Sequence, residues 1–295
     1  MIFVIGEYII DLVENNDKYD IKLSGYGLNC AKACMDFEAS SAFISAISND
    51  VNGLKVINYL VENEILFDPD LCNNKFKSPL CFITKDENNK IKKDFYLKNT
   101  ASMVLNSEEL LNSLSNNSDI KAIHIGSLSM LINPTSSSIL DVLSFITPRA
   151  NIYVEPDIII SEIEKIPNWK KRVFDFFEIA KIIKLNKNDI SYIFNEQSYS
   201  QIVKEIRNIN EDAHIIIRED HKVTWISDKD DMFEYDNCWF SESINDCGAI
   251  FSGALLAYLS NNGVFGDNGE SPKFRINDSI INNALDFACN KVKSI

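Results

Sequence analysis

A chain of 295 residues, 45% hydrophobic and 24% charged, is long enough and apolar enough to bury a full globular core. Its 29 Lys and Arg against 43 Asp and Glu leave a formal charge of −14, which repels phosphate backbones and argues against general nucleic-acid or anionic-membrane binding. It does not exclude a nucleotide, because a local pocket of backbone N–H groups holds phosphate on an acidic protein.

The opening MIFVIGEYII has no basic segment and no small-residue cleavage site, so it reads as a strand and not as a signal peptide. No segment reaches roughly 18 uninterrupted apolar residues, so no membrane span is expected. Seven scattered cysteines (Cys30, Cys34, Cys72, Cys81, Cys238, Cys247, Cys289) form no CxxC pair, and His124, His214 and His221 match no zinc spacing. Reduced thiols in a cytoplasm are expected, with no metal cage of the Cys/His type.

In chain order, strands are predicted at Ile2–Ile5, Ser41–Ile47, Ala122–Ile125, Ile152–Val154, Ile179–Leu185, His214–Ile217 and Val223–Ile226. Helices are predicted at Leu54–Glu64, Ser107–Leu114, Ser136–Phe145, Trp169–Phe177, Lys187–Phe194, Gln201–Asn208, Gly248–Leu259 and Asn277–Val292. Such alternation, with no linker or repeat, predicts one α/β domain over 1–295: a mostly parallel central sheet with helices on both faces. Segments 8–23 and 79–96 break the pattern. Each reads as a strand pair around a polar turn, ENNDKYD and KDENNK. Such hairpins serve as a lid over a ligand site or as a β-extension for dimer contact.

Six spaced motifs carry a family resemblance. GEYIID (Gly6–Asp11), SGYGLNCA (Ser24–Ala31), AISNDVNG (Ala46–Gly53), VEPD (Val154–Asp157), KLNKND (Lys184–Asp189) and CGAIFSGALLAYL (Cys247–Leu259) occur in that order. Together they resemble the ribokinase-like (PfkB) carbohydrate kinases. The resemblance implies a small β-sheet lid, a sugar-type ligand, ATP with Mg²⁺ in an active enzyme, and a homodimer through the lid. It implies substrate contacts from Asp11, Gly25 and Asn29, with Lys98 in place of a substrate-side arginine. Each has a plainer reading: a solvated hairpin aspartate, a turn with an Asn near a helix start, a surface lysine. On the nucleotide and Mg²⁺ side it implies Asn186, Asp189 and Glu155. Asn186 also suits a helix N-cap, and Glu155 either supports a metal's water shell or caps a turn.

The same resemblance exposes losses. The family's glycine-rich turn opens a helix whose N–H groups hold the transferring phosphoryl, and an Asp in it takes the hydroxyl proton. Here Gly248 keeps the turn, but Ala249 stands at the expected base position, and the nearest carboxylate is Asp246. The family's nucleotide-side glycines correspond to Glu219 and Lys222, and Cys289 stands where an Asn is frequent. Loss of a general base costs roughly 10²–10⁴ in rate. Three readings follow: a ligand-binding homologue with little or no phosphotransfer, an active sugar or nucleoside kinase with an altered base, and an engineered inactive variant.

Overall fold

In the computed structural model, which describes residues 1–73, 75–117, 119–146, 151–236, 238, 247–266 and 274–293, the first strand sets the layering. Side chains of a strand alternate between faces. In β1 (Ile2–Ile5), Ile2 and Val4 enter one core with Cys30, Leu255 and Leu285, while Phe3 and Ile5 enter a second with Leu110, Val142 and Phe176. A sheet buried on both faces needs apolar residues at every position, and the IFVI run supplies them.

The main sheet holds β1, β4 (Ser41–Ile44), β6 (Leu66–Phe67), β10 (Ala122–Gly126), β11 (Asn151–Glu155), β12 (Ile182–Asn186), β13 (His214–Arg218), β14 (Val223–Ile226) and β15 (Met232–Tyr235). Its order is β15-β14-β13-β12-β11-β10-β1-β4-β6. It is parallel from β13 to β6 and turns antiparallel at β14 and β15. A second, four-stranded sheet, ordered β3-β2-β8-β9, consists of β2 (Ile9–Asn15), β3 (Lys18–Ser24), β8 (Leu80–Lys85) and β9 (Ile91–Tyr96). The two polar-turn segments therefore pair with each other. β5 (Ile47–Ser48) and β7 (Cys72–Asn73) form a small separate ladder.

The helices are α1 (Tyr26–Asp36), α2 (Val51–Glu62), α3 (Ser107–Ser115), α4 (Leu128–Leu131), α5 (Thr135–Ile146), α6 (Ile160–Ile163), α7 (Trp169–Ile179), α8 (Lys187–Phe194), α9 (Tyr199–Arg207), α10 (Cys247–Asn261) and α11 (Asp278–Lys293). Three sequence expectations need correction. The strand expected from Ile179 begins at Ile182, because Ile179 closes α7. The strand expected over Ser41–Ile47 splits into β4 and β5. The cysteines are not all reduced thiols: Cys238 and Cys289, 51 residues apart, form a disulfide, and the other five are thiols. Helix α1 and strand β15 had no clear periodic signal. α1 carries Cys30, Ala33 and Cys34, small residues that let it lie close against Gly253 of α10.

Candidate functional site

The small sheet faces the C-terminal ends of the main strands across a pocket of about 140 Å³. Open parallel sheets bind ligands at that edge. Ladder partners share a face, so Asp11 on β2, Cys81 on β8 and Phe95 on β9 stand side by side, and Lys93 follows two residues from Phe95. All four line the pocket. The main body contributes Glu7, Gly25, Tyr26, Ser127, Asp157 and Ala249.

Gly25 is the residue the turn requires. Its φ is +117°, and a Cβ there would stand 2.5 Å from the Glu7 carbonyl and 2.6 Å from the Tyr8 Cα. Ser127 (φ 53°) and Asp157 (φ 40°) also hold left-handed backbone without being glycine. Strain of this kind, worth about 1–3 kcal/mol, collects where a site needs a side chain aimed against local preference.

Beneath the pocket lies a buried polar cluster. Lys184 and Glu155 are an ion pair with both side chains at 0% exposure. Lys184 Nζ also donates to Ser252 Oγ (3.1 Å) and Tyr26 Oη (3.3 Å), and Ser252 Oγ donates to the other Glu155 oxygen (2.6 Å). Burial pushes the Lys184 ammonium down. It pushes Glu155 up, but the charges of Lys184 and His124 outweigh it and hold that carboxyl down to about 2. Glu7 is buried and accepts from the Ser129 hydroxyl (2.8 Å) and backbone N–H (3.2 Å). Burial raises it above the usual carboxylate range, although the Ser129 hydrogen bonds pull the other way.

Asp11 and Gly25 line the pocket, while Asn29 lies one turn into α1 and does not. Lys98 lines a different cavity, and Lys93 takes the basic position in this one. Glu155 is committed to Lys184 and Ser252. Asn186 caps α8 in a reciprocal box with Asp189, and its amide donates to Asp157 Oδ1 (3.0 Å). Asp189 accepts the N–H groups of Asn186 and Ile158, one on each oxygen. Burial and the charge of Asp157 raise its carboxyl to about 7. Gly248 and Ala249 open α10, with Ala249 in the pocket lining; a Cβ on Gly248 would meet Tyr26 Oη at 3.2 Å. Asp246 lies outside the described residues.

Tyr26, Lys93, Asp157, Lys184 and Ser252 were not foreseen as site residues. For Lys184 the signal was present: a lysine inside the apolar strand IIKL needs a buried counter-charge, and VEP supplies one in the neighbouring strand. Lys93 had no such signal, because three consecutive charges in KKD look solvated and only the sheet register selects which one points inward.

Residues 1–269 match the sequence profile of the pfkB family carbohydrate kinases. A probable fructokinase-6 of Arabidopsis thaliana, described as chloroplastic, is 23% identical over 197 residues, 64% of this chain; the match spans about half (51%) of the plant protein's length. Among solved structures, a fructokinase from Xylella fastidiosa with bound ATP superposes with a TM-score of 0.85 at 17% identity, covering 98% of this chain and 89% of that one. An aminoimidazole riboside kinase from Salmonella enterica, complexed with aminoimidazole riboside and an ATP analogue, gives 0.77 at 14% identity, covering 99% and 91%. The fold is thus shared with ribokinase-like kinases, and the family resemblance expected from the sequence is borne out. With its main sheet, its second sheet and a profile match over residues 1–269, this chain belongs to the pfkB family of carbohydrate kinases.

Proposed function

We propose that the chain, as a single unit with the small sheet as its lid, binds a sugar-type ligand in this pocket and transfers phosphate to it little or not at all. The observation that carries the reading is Ala249. It lines the pocket at the opening turn of α10, where the family places the carboxylate that takes the hydroxyl proton. A methyl group accepts no proton. Asp11 and the Lys93 ammonium offer an acceptor and a donor to ligand hydroxyls, which suits a small polyol.

The nucleotide side supports the same reading. The turn after β13 is closed by a Glu219 N–H to Lys222 carbonyl bond (2.8 Å), and Lys222 pairs with Glu234. A glutamate there repels polyphosphate, and side chains keep the backbone from close approach. ATP and Mg²⁺ belong to the active form of such a protein. The first turn of α10, with Gly248, fits an anion. The residues present do not fit a directly ligated cation: among those described, no group of three or more His, Cys, Asp or Glu is placed to hold one. Asp189 accepts a backbone N–H on each carboxylate oxygen, and Glu155 is held by Lys184 and Ser252.

One observation favours a second reading, an active kinase with an altered base: Asp157 lines the same pocket as Ala249. Burial and the charge of Glu155 raise its carboxyl, in the direction a general base at neutral pH needs.

The deciding experiment measures ADP release and thermal shift against a panel of sugars. A sugar that raises the melting temperature without turnover supports binding alone. Steady ADP release with one sugar at about 1–100 s⁻¹, an ordinary kinase rate, overturns it. If Asp157→Asn then abolishes that release, the second reading stands. Two further parts of the proposal are a cytoplasmic location, with five cysteines kept as thiols beside the one disulfide, and a homodimer through the outer face of the small sheet. That face exposes Tyr19 (47%), Ile21 (52%) and Tyr96 (54%), with Phe82 in edge-to-face contact with both tyrosines.

A further inference from the structure

A second cavity, of about 920 Å³, opens where the ends of β8 and β9 meet the α4–α5 connection and the start of α7. Its size lies within the roughly 300–1,000 Å³ of small-molecule sites, and the pocket of Asp11 is far smaller. Of the residues lining the two, Phe95 is the one they share.

The charge inside the second cavity runs against that of the molecule. Lys77, Lys98, Lys165 and Arg172 line it against the single acid Glu162, in a chain whose formal charge is −14. Lys165 is matched by Glu162 at 2.7 Å. Arg172 donates one Nη1 bond to the Leu131 carbonyl (2.5 Å), and among the described residues its other terminal nitrogen has no hydrogen bond. Lys77 and Lys98 have no side-chain hydrogen bond or ion pair among the described residues. The walls between these cations are apolar: Phe95, Leu97, Met103, Ile132 and Ile166. A cation surplus around an apolar chamber matches a ligand with a flat or aliphatic body and one anionic head.

We infer that this cavity is a binding site for a small amphipathic organic anion, an aromatic or aliphatic body carrying a phosphate or carboxylate, separate from the pocket of Asp11. The head meets Lys77, Lys98 and Arg172, and the body packs against Phe95, Met103 and Ile132. Because Lys98 stands just past β9 and Arg172 on α7, the bound anion ties the end of the small sheet to the main body.

The test uses the full chain and 1-naphthyl phosphate, with 1-naphthoate, neutral 1-naphthol and inorganic phosphate as comparators, titrated by calorimetry. One site per chain is expected. Naphthyl phosphate or naphthoate should bind at least about tenfold more tightly than naphthol, the scale of one charge-assisted hydrogen bond, and inorganic phosphate alone more weakly than naphthyl phosphate. The double variant Lys77→Glu/Lys98→Glu changes two exposed side chains and should melt like the parent while losing about tenfold or more in affinity. Asp11→Ala should bind the probe unchanged, which separates this site from the sugar-type pocket whatever becomes of that reading. Three results overturn the inference: naphthol binding as tightly as both anions, a folded double variant with parental affinity, or loss of probe binding in Asp11→Ala.

Discussion

Asp11 reaches the pocket from β2, between Lys22 on one neighbouring strand and Cys81 on the other. It is a polar contact on an otherwise intact sheet. Asp11→Ala should therefore abolish any sugar-dependent rise in melting temperature and leave the ligand-free melt within a degree or so, measured by thermal shift. Lys184 is the opposite case. Removing one member of a buried pair leaves an uncompensated charge, which costs about 3–5 kcal/mol. Lys184→Met should lower unfolding stability in urea by that order, and the double change Glu155→Leu/Lys184→Met should lower it by less than the single one. Asp189 sets a pH signature. Its carboxyl stands at about 7 in the fold against an ordinary 3.8. The fold thus favours the protonated form, and that contribution is complete below about pH 3.8 and lost as pH rises through about 7. Between pH 5 and pH 8 the parent should lose more stability than Asp189→Asn, read by denaturant titration at each pH.

At the level of elements, α1 and α10 carry the pocket's two backbone turns and pack on each other closely. A Cβ on Gly253 would stand 2.4 Å from the Ala33 Cβ and 2.8 Å from the Cys30 carbonyl. Gly253→Ala should gain helix propensity yet still destabilise by about 1–3 kcal/mol through overpacking. Because α1 begins at Tyr26 and α10 at Cys247, any spreading of the pair reaches Tyr26 and Ala249 and should weaken ligand binding with it. On the proposed reading, the hairpin after β13 belongs to the nucleotide side. Glu219→Gly/Lys222→Gly should raise nucleotide affinity, by calorimetry, more than Ala249→Asp does, since the turn governs approach of the phosphates while the base acts on the chemical step.

For the whole molecule, the small sheet is the part with two working faces. Its inner face holds Asp11, Lys93 and Phe95, and its outer face presents the Tyr19, Ile21, Phe82 and Tyr96 patch. Exposed contiguous apolar surface of this kind marks an interaction site. Ile21→Lys should convert dimers to monomers in analytical ultracentrifugation while the pocket's sugar-dependent thermal shift persists; a parent that sediments as a monomer at all concentrations removes the dimer from the reading.

The sequence alone determined the class and order of the main elements. Apolar runs such as IFVI and IIKL alternate with helical periods, and those signals are local. It also singled out Asp11 and Ala249, which both line the pocket, because both sit in motifs that follow a strand or open a helix. The tertiary structure decided the rest. Which lysine of the β9 region faces the pocket depends on strand register, and a one-residue slip reverses the face, so Lys93 points in and Lys98 belongs to another cavity. The role of Glu155 depends on Lys184 in the adjacent strand and Ser252 in a distant helix. The pairing of Cys238 with Cys289 depends on β15 and α11 coming together across 51 residues. Each of these is a contact between segments far apart in the chain, and no local period encodes it.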